Sequence, residues 1–162
     1  MDIPDLQSNH EEADTRLLLH SKHATDNASQ IVIQSPDTYV LAICMSHFNS
    51  LSCEELWFQT GVKDRLQFIP MHKVAPALGE GMCNALPVFH ALTGCDSNSS
   101  LAGIGKKTSW AVLQCSSAHQ DALRLVGQEQ DLDVRTAAKV EAFVCDLYPT
   151  SKSKERTTDE LK

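Results

Sequence analysis

The six cysteines, at positions 44, 53, 83, 95, 115 and 145, include no Cys-x-x-Cys pair, and the opening Met1-Asp2-Ile3-Pro4-Asp5 lacks the charged and apolar regions of a signal peptide. Reduced intracellular thiols are the expectation. No apolar run approaches the roughly 20 residues that a membrane span needs, and Thr158-Asp159-Glu160-Leu161-Lys162 ends one residue past any retention tetrapeptide. The expectation is a soluble nuclear or cytoplasmic protein with no membrane partner. Positive charge is also short. Fourteen basic against twenty-one acidic residues give a net charge of -7, which repels a polyanion at long range and counts against a nonspecific nucleic-acid coat. Any grip on nucleic acid must be local. No internal repeat is visible. What is present is 162 residues at 42% hydrophobic content, enough for one globular domain with a sizeable core.

Ser8-x-x-Glu11 ahead of an apolar run is a capping box, so a helix is predicted from near Asn9 through Leu19, ended by Asn27-Ala28-Ser29. Ile31-Val32-Ile33-Gln34, closed by Ser35-Pro36, has the pattern of a buried strand, with a helix from Tyr39 to Met45 after it. Leu56-Trp57-Phe58-Gln59 and Leu66-Gln67-Phe68-Ile69, separated by Gly61, alternate as an antiparallel hairpin does. A short helix is read over Val74–Leu78. From Leu86 onward the pattern is helical: Leu86–Leu92, Lys107–Gln114, Ala118–Leu125 and Val134–Leu147, with Pro149 as the stop. Residues 1–150 make the domain, and the polar stretch 151–162 reads as a disordered tail.

Four acids stand out. Glu12 and Asp14 open the first helix, Asp37 follows the first strand, and Asp96 ends a later helix. In open α/β sheets the working crevice lies beyond the carboxyl ends of the strands, where Asp37 belongs. Mg²⁺ needs one or two direct carboxylates plus waters and phosphate oxygens, so four carboxylates can serve a pair of ions. Residues two apart on an ideal helix point about 200° away from each other, so Glu12 and Asp14 converge only if the first turn is irregular or the ions lie off the helix end. The plainer alternatives are that acids in a first turn complement the helix dipole and that Asp37 forms a turn.

Gly103-Ile104-Gly105-Lys106, followed by Thr108, has the look of a P-loop with the wrong spacing. Position 100 is serine, and lysine at 107 stands where Ser or Thr should follow the Gly-Lys pair, so nucleotide hydrolysis is rejected. A Gly-x-Gly joining two helices instead offers consecutive N–H groups at a helix N-terminus, an anion site that Lys106 and Lys107 strengthen. The competing reading is a tight interhelical turn with two solvated lysines.

Taken together, Glu12-Ala13-Asp14, Ser35-Pro36-Asp37-Thr38, and Leu92-Thr93-Gly94-Cys95-Asp96 with Gly103-Ile104-Gly105-Lys106-Lys107-Thr108 resemble the internal region and helix-turn-helix of flap-endonuclease/XPG-type nucleases. That family is a branch of the PIN-like fold, and the resemblance includes transposon-associated animal members. It runs from Asn9 to about Pro149. It implies a partial PIN-like three-layer α/β/α sandwich with a C-terminal helical region that holds a helix-turn-helix at about 86–114. It also implies Mg²⁺ or Mn²⁺ ions that activate a water for phosphodiester cleavage. Glu12, Asp14, Asp37 and Asp96 match the metal-binding, catalytic acids. Gly103, Gly105 and Lys106, with Lys107 and Thr108 beside them, match the turn that tracks the DNA backbone.

Two departures accompany the match. Tyr39, a phenol neutral at neutral pH, stands where the family repeats an acid two residues after Asp37. The family's first strand, with a further aspartate, lies well upstream of Glu12, whereas eleven residues precede it here. The expectation is therefore a degenerate, structure-specific endonuclease-like domain missing the N-terminal half of the core, with a protein partner covering the truncated sheet. The alternative is a non-catalytic DNA-binding or protein-interaction module on the same fold. His20-x-x-His23 and Cys44-x-x-His47 have zinc-compatible spacings without a second pair at finger distance, and Cys95 reads as a core cysteine rather than a nucleophile. Trp57 and Trp110 read as core residues, with base stacking as the alternative for an exposed Trp110.

Overall fold

The computed structural model describes residues 13–95, 100–128 and 133–148, a mixed α/β arrangement of seven helices and a three-stranded sheet among those residues. The chain divides into two compact units, residues 1–87 and 88–162.

The first unit contains α1 (Ala13–Thr25), β1 (Gln30–Gln34), α2 (Thr38–Ser46), β2 (Glu55–Thr60), β3 (Gln67–Pro70), α3 (Met71–Leu78) and the start of α4 (Glu80–Leu92). The strand order is β1-β2-β3, with β1 parallel to β2 and β3 antiparallel to it. Pairing Ile31 with Leu56, Ile33 with Phe58 and Phe58 with Ile69 places these side chains on one face of the sheet. Against that face pack Val40, Cys44 and Met45 of α2, Met71 and Ala75 of α3, Cys83 of α4, and Leu17 and Leu18 of α1. Leu56 and Phe58 are 0% and 1% exposed, and each such side chain contributes about 2 kcal/mol by leaving water. The reading of Ile31-Val32-Ile33 as a buried strand holds for the two isoleucines. Val32, on the opposite face, is 54% exposed, and Phe68 on that face is 51% exposed.

Local chemistry explains the joins. The Ser35 hydroxyl accepts the Asp37 N–H at 3.1 Å, and the Asp37 carboxylate accepts the Tyr39 N–H at 2.7 Å, which caps α2. Gly61, at φ +81°, turns β2 into the loop leading to β3, and a Cβ there would meet the Arg65 carbonyl oxygen at 2.1 Å. Gly79, at φ +83°, ends α3. The helix after it begins at Glu80, six residues before the predicted Leu86. Pro87 lies inside α4, and its lost hydrogen bond is outweighed by burial of Met82, Cys83, Ala85 and Phe89. The proposed capping-box residues Ser8 and Glu11 and the tail 151–162 lie outside the described residues.

The second unit holds the end of α4, α5 (Lys106–Gln114), α6 (Ser117–Gln128) and α7 (Val134–Asp146). Phe89, Leu113, Ala122, Leu123, Phe143 and Leu147 are its buried apolar residues. Trp110 meets Phe89 edge to face at 5.8 Å, and His119 meets Phe143 the same way at 5.4 Å. Asp133 caps α7 through the Thr136 N–H at 2.6 Å.

Candidate nucleic-acid interface

The connection from α4 to α5 builds the site from short, backbone-dominated pieces. Thr93 is buried and returns its hydroxyl to the Phe89 carbonyl at 2.7 Å, which ties off α4. Gly94 follows at φ +101°, and a Cβ there would lie 2.9 Å from Ser100 Cα, so the two ends of the connection touch at a position that only glycine fits. Gly103 sits at φ +72°, and the Ile104 N–H returns to Leu101 at 3.1 Å to close a turn. Gly105 is the N-cap of α5, and its carbonyl accepts the N–H groups of Thr108 at 3.0 Å and Ser109 at 3.2 Å. That leaves the N–H groups of Lys106 and Lys107 as the orphan donors of the helix start.

Around this turn is an open cleft of about 450 Å³, with Thr93, Gly94 and Cys95 on one side and Ile104, Gly105 and Lys106 on the other. Among the described residues nothing beyond the chain neighbours lies within 4 Å of a Cβ built on Gly103 or Gly105, so a ligand's backbone can approach the main chain there. The Lys106 ammonium stands 3.3 Å from His90 Nδ1, which holds it beside the cleft. Lys107 and Thr108 are exposed on the same first turn of α5. All five residues predicted for backbone binding thus sit on one turn. His90 lies four residues, about one helical turn, before Gly94, and no motif in the sequence pointed to its contact with Lys106.

Two of the four predicted acids lie among the described residues. Asp14 lies in the first turn of α1 and is half-buried, while Asp37 is exposed and engaged as the cap of α2. A carboxylate has lone pairs to spare beyond one N–H, so the cap leaves Asp37 able to ligate an ion. Glu12 and Asp96, the other two predicted ligands, lie outside the described residues. Among the described residues no three His, Cys, Asp or Glu side chains come together as a metal-holding group. Of the residues with zinc-compatible spacing, Cys44 is 1% exposed with its thiol pushed up to about 11 by burial, and His47 bonds its ring to the Ile43 carbonyl at 3.0 Å. Trp110 leans on Phe89 and is half-buried.

No family model, curated protein or solved structure matches the chain. No helix among the described residues is long and apolar enough to cross a membrane.

Proposed function

We propose that the chain is a DNA-backbone-binding, endonuclease-like domain whose phosphate contact is the Gly103–Lys107 turn. The observation that carries this reading is the combination at the start of α5: two glycines with open space where side chains would be, orphan helix N–H groups, and the Lys106 ammonium. A helix start favours an anion by its dipole, and the lysines add full charge where the rest of a chain of net charge -7 is repulsive. The motif set resembling flap-endonuclease/XPG-type nucleases supports the same reading, with a PIN-like sandwich and a helix-turn-helix formed by α4 and α5 as its architectural corollaries. In it Glu12, Asp14, Asp37 and Asp96 would hold Mg²⁺ or Mn²⁺, and the ions would supply an activated water and charge stabilisation at a phosphodiester. The nuclear or cytoplasmic location belongs to the same proposal.

A second reading, a binding module without catalysis, is favoured by one specific fact: Tyr39 occupies a position where the resemblance calls for an acid. The test common to both is DNA binding by fluorescence anisotropy on duplex and flapped oligonucleotides. Wild type should bind weakly, with a log-log salt slope of about one per phosphate neutralised. The Lys106→Glu, Lys107→Glu double variant should lose binding, and Gly105→Val should lose it sterically while remaining folded. Retained affinity in both variants would overturn the proposal.

A further inference from the structure

Among the described residues β1 has a strand neighbour on one side only. The Ser35 N–H donates to Gln59 at 3.1 Å, and the Ser29 carbonyl accepts the N–H groups of Glu54 at 2.9 Å and Glu55 at 3.0 Å. The odd-numbered residues of this segment therefore turn their backbone toward β2. Alternate residues of a parallel ladder point their N–H and C=O groups to opposite sides, so those of Gln30, Val32 and Gln34 face outward from the edge.

That edge lacks several of the usual protections. No charged residue, proline or bulge interrupts Gln30–Gln34, and Gln30, Val32 and Gln34 are all exposed. The segment also reads the same in both directions: Gln-Ile-Val-Ile-Gln. We propose that this edge is an interface between two copies of the chain, with β1 pairing antiparallel to β1 of a second copy about a two-fold axis through Val32.

The palindrome and the backbone agree on one register. Centring the axis on Val32 sets Val32 opposite Val32 of the second copy and Gln30 opposite Gln34, which are the residues whose backbone faces the edge. Each facing pair exchanges two N–H···O=C bonds, about six in all. Ile31 then meets Ile33 of the second copy on the core side of the sheet. A shift of one residue would turn the isoleucines to the wrong face, and a shift toward the C-terminus brings in Pro36, which has no N–H to give. Two three-stranded sheets become one of six strands, ordered β3-β2-β1-β1-β2-β3. A two-fold axis needs a self-complementary patch, and this edge is one. Each copy carries net charge -7, so association should strengthen as salt screens the repulsion. The inference does not depend on the phosphate-binding proposal.

Sedimentation velocity and equilibrium on the full 162-residue chain, run with reductant so that exposed Cys115 and Cys145 cannot cross-link copies, test it. Wild type should show a reversible, concentration-dependent monomer–dimer equilibrium that tightens at higher salt. Val32 is 54% exposed, so Val32→Lys and Val32→Glu should both fold, shown by unchanged circular dichroism. Each variant alone should be monomeric, because like charges meet across the axis. A one-to-one mixture of the two should recover a dimer through the Lys–Glu pair. A wild type that stays monomeric at all accessible concentrations would overturn the proposal, leaving the edge to a different strand. Dimers that persist in Val32→Lys, or a mixture that remains monomeric, would overturn it as well.

Discussion

The imidazole Nε2 of His119 on α6 lies 2.9 Å from the Asp146 carboxylate at the end of α7, with the ring's edge contact on Phe143 completing its enclosure. The link joins two helices through one buried and one solvated partner, the side chains being 11% and 64% exposed. Solvent screening keeps its value below about 1 kcal/mol. Asp146→Ala should lower the unfolding free energy from urea melts by up to that amount. Asp146→Asn, which keeps an acceptor oxygen, should lower it less, and equal losses in the two variants would show that the oxygen is not what the ring requires.

Three glycines in turns should respond differently to alanine. Gly61→Ala faces both φ +81° and a clash at 2.1 Å with backbone, so it should cost about 3 kcal/mol and loosen the β2–β3 hairpin. Gly103→Ala, at φ +72° in open space, should cost about 1 kcal/mol. Gly105→Ala, at φ -86° in open space, meets no strain but loses the N-cap preference for glycine over alanine, so it should cost about 0.5 kcal/mol in thermal melts. A large loss at Gly105 would mean that the turn is more tightly built than described.

Asp133 predicts a pH dependence. Its carboxylate is held below its ordinary value by the hydrogen bonds from the Thr136 backbone and side chain. Since the folded value is depressed, the stabilisation is fully present above the unfolded value near pH 4 and fades as pH falls through the folded one. Asp133→Asn, a cap without a titrating group, should flatten the acid side of the urea-stability profile, below the unfolded value near pH 4. An unchanged profile would remove Asp133 from the account.

Tyr39 offers a direct probe of the metal proposal. Its N–H bonds to Asp37 through the backbone, so Tyr39→Asp keeps the cap of α2 while adding a hard oxygen ligand. Mn²⁺ affinity in calorimetry should rise in that variant. An affinity equal to wild type would count against ion binding at Asp37.

Several elements were legible because one local signal sufficed. The alternation on either side of Gly61 marked the hairpin, and Ser35-Pro36 marked the end of β1. The Gly103–Thr108 stretch was readable as a helix-joining turn from its glycines. Other features depend on tertiary context. The sequence reading began this helix at Leu86, whereas the helix runs from Glu80 and buries Met82 and Ala85. The apolar run Ile31-Val32-Ile33 does not say which side chain finds no cover, and half-exposed Val32 emerges only once the register with Trp57 is known. The His90–Lys106 contact spans a connection whose path no spacing rule specifies.

The mixed sheet also sets an order of assembly. The Phe58–Ile69 pair closes 11 residues of chain, while the parallel Ile33–Phe58 pair closes 25 and must wait for α2 to cross over. Short loops cost less entropy to close, so the hairpin is the element free to form early and β1 is the strand recruited late. The same inequality runs in reverse during local opening. In hydrogen exchange the amides of Ile31 and Ile33 should therefore lose protection before that of Phe58, making the first strand the weak seam of its own unit.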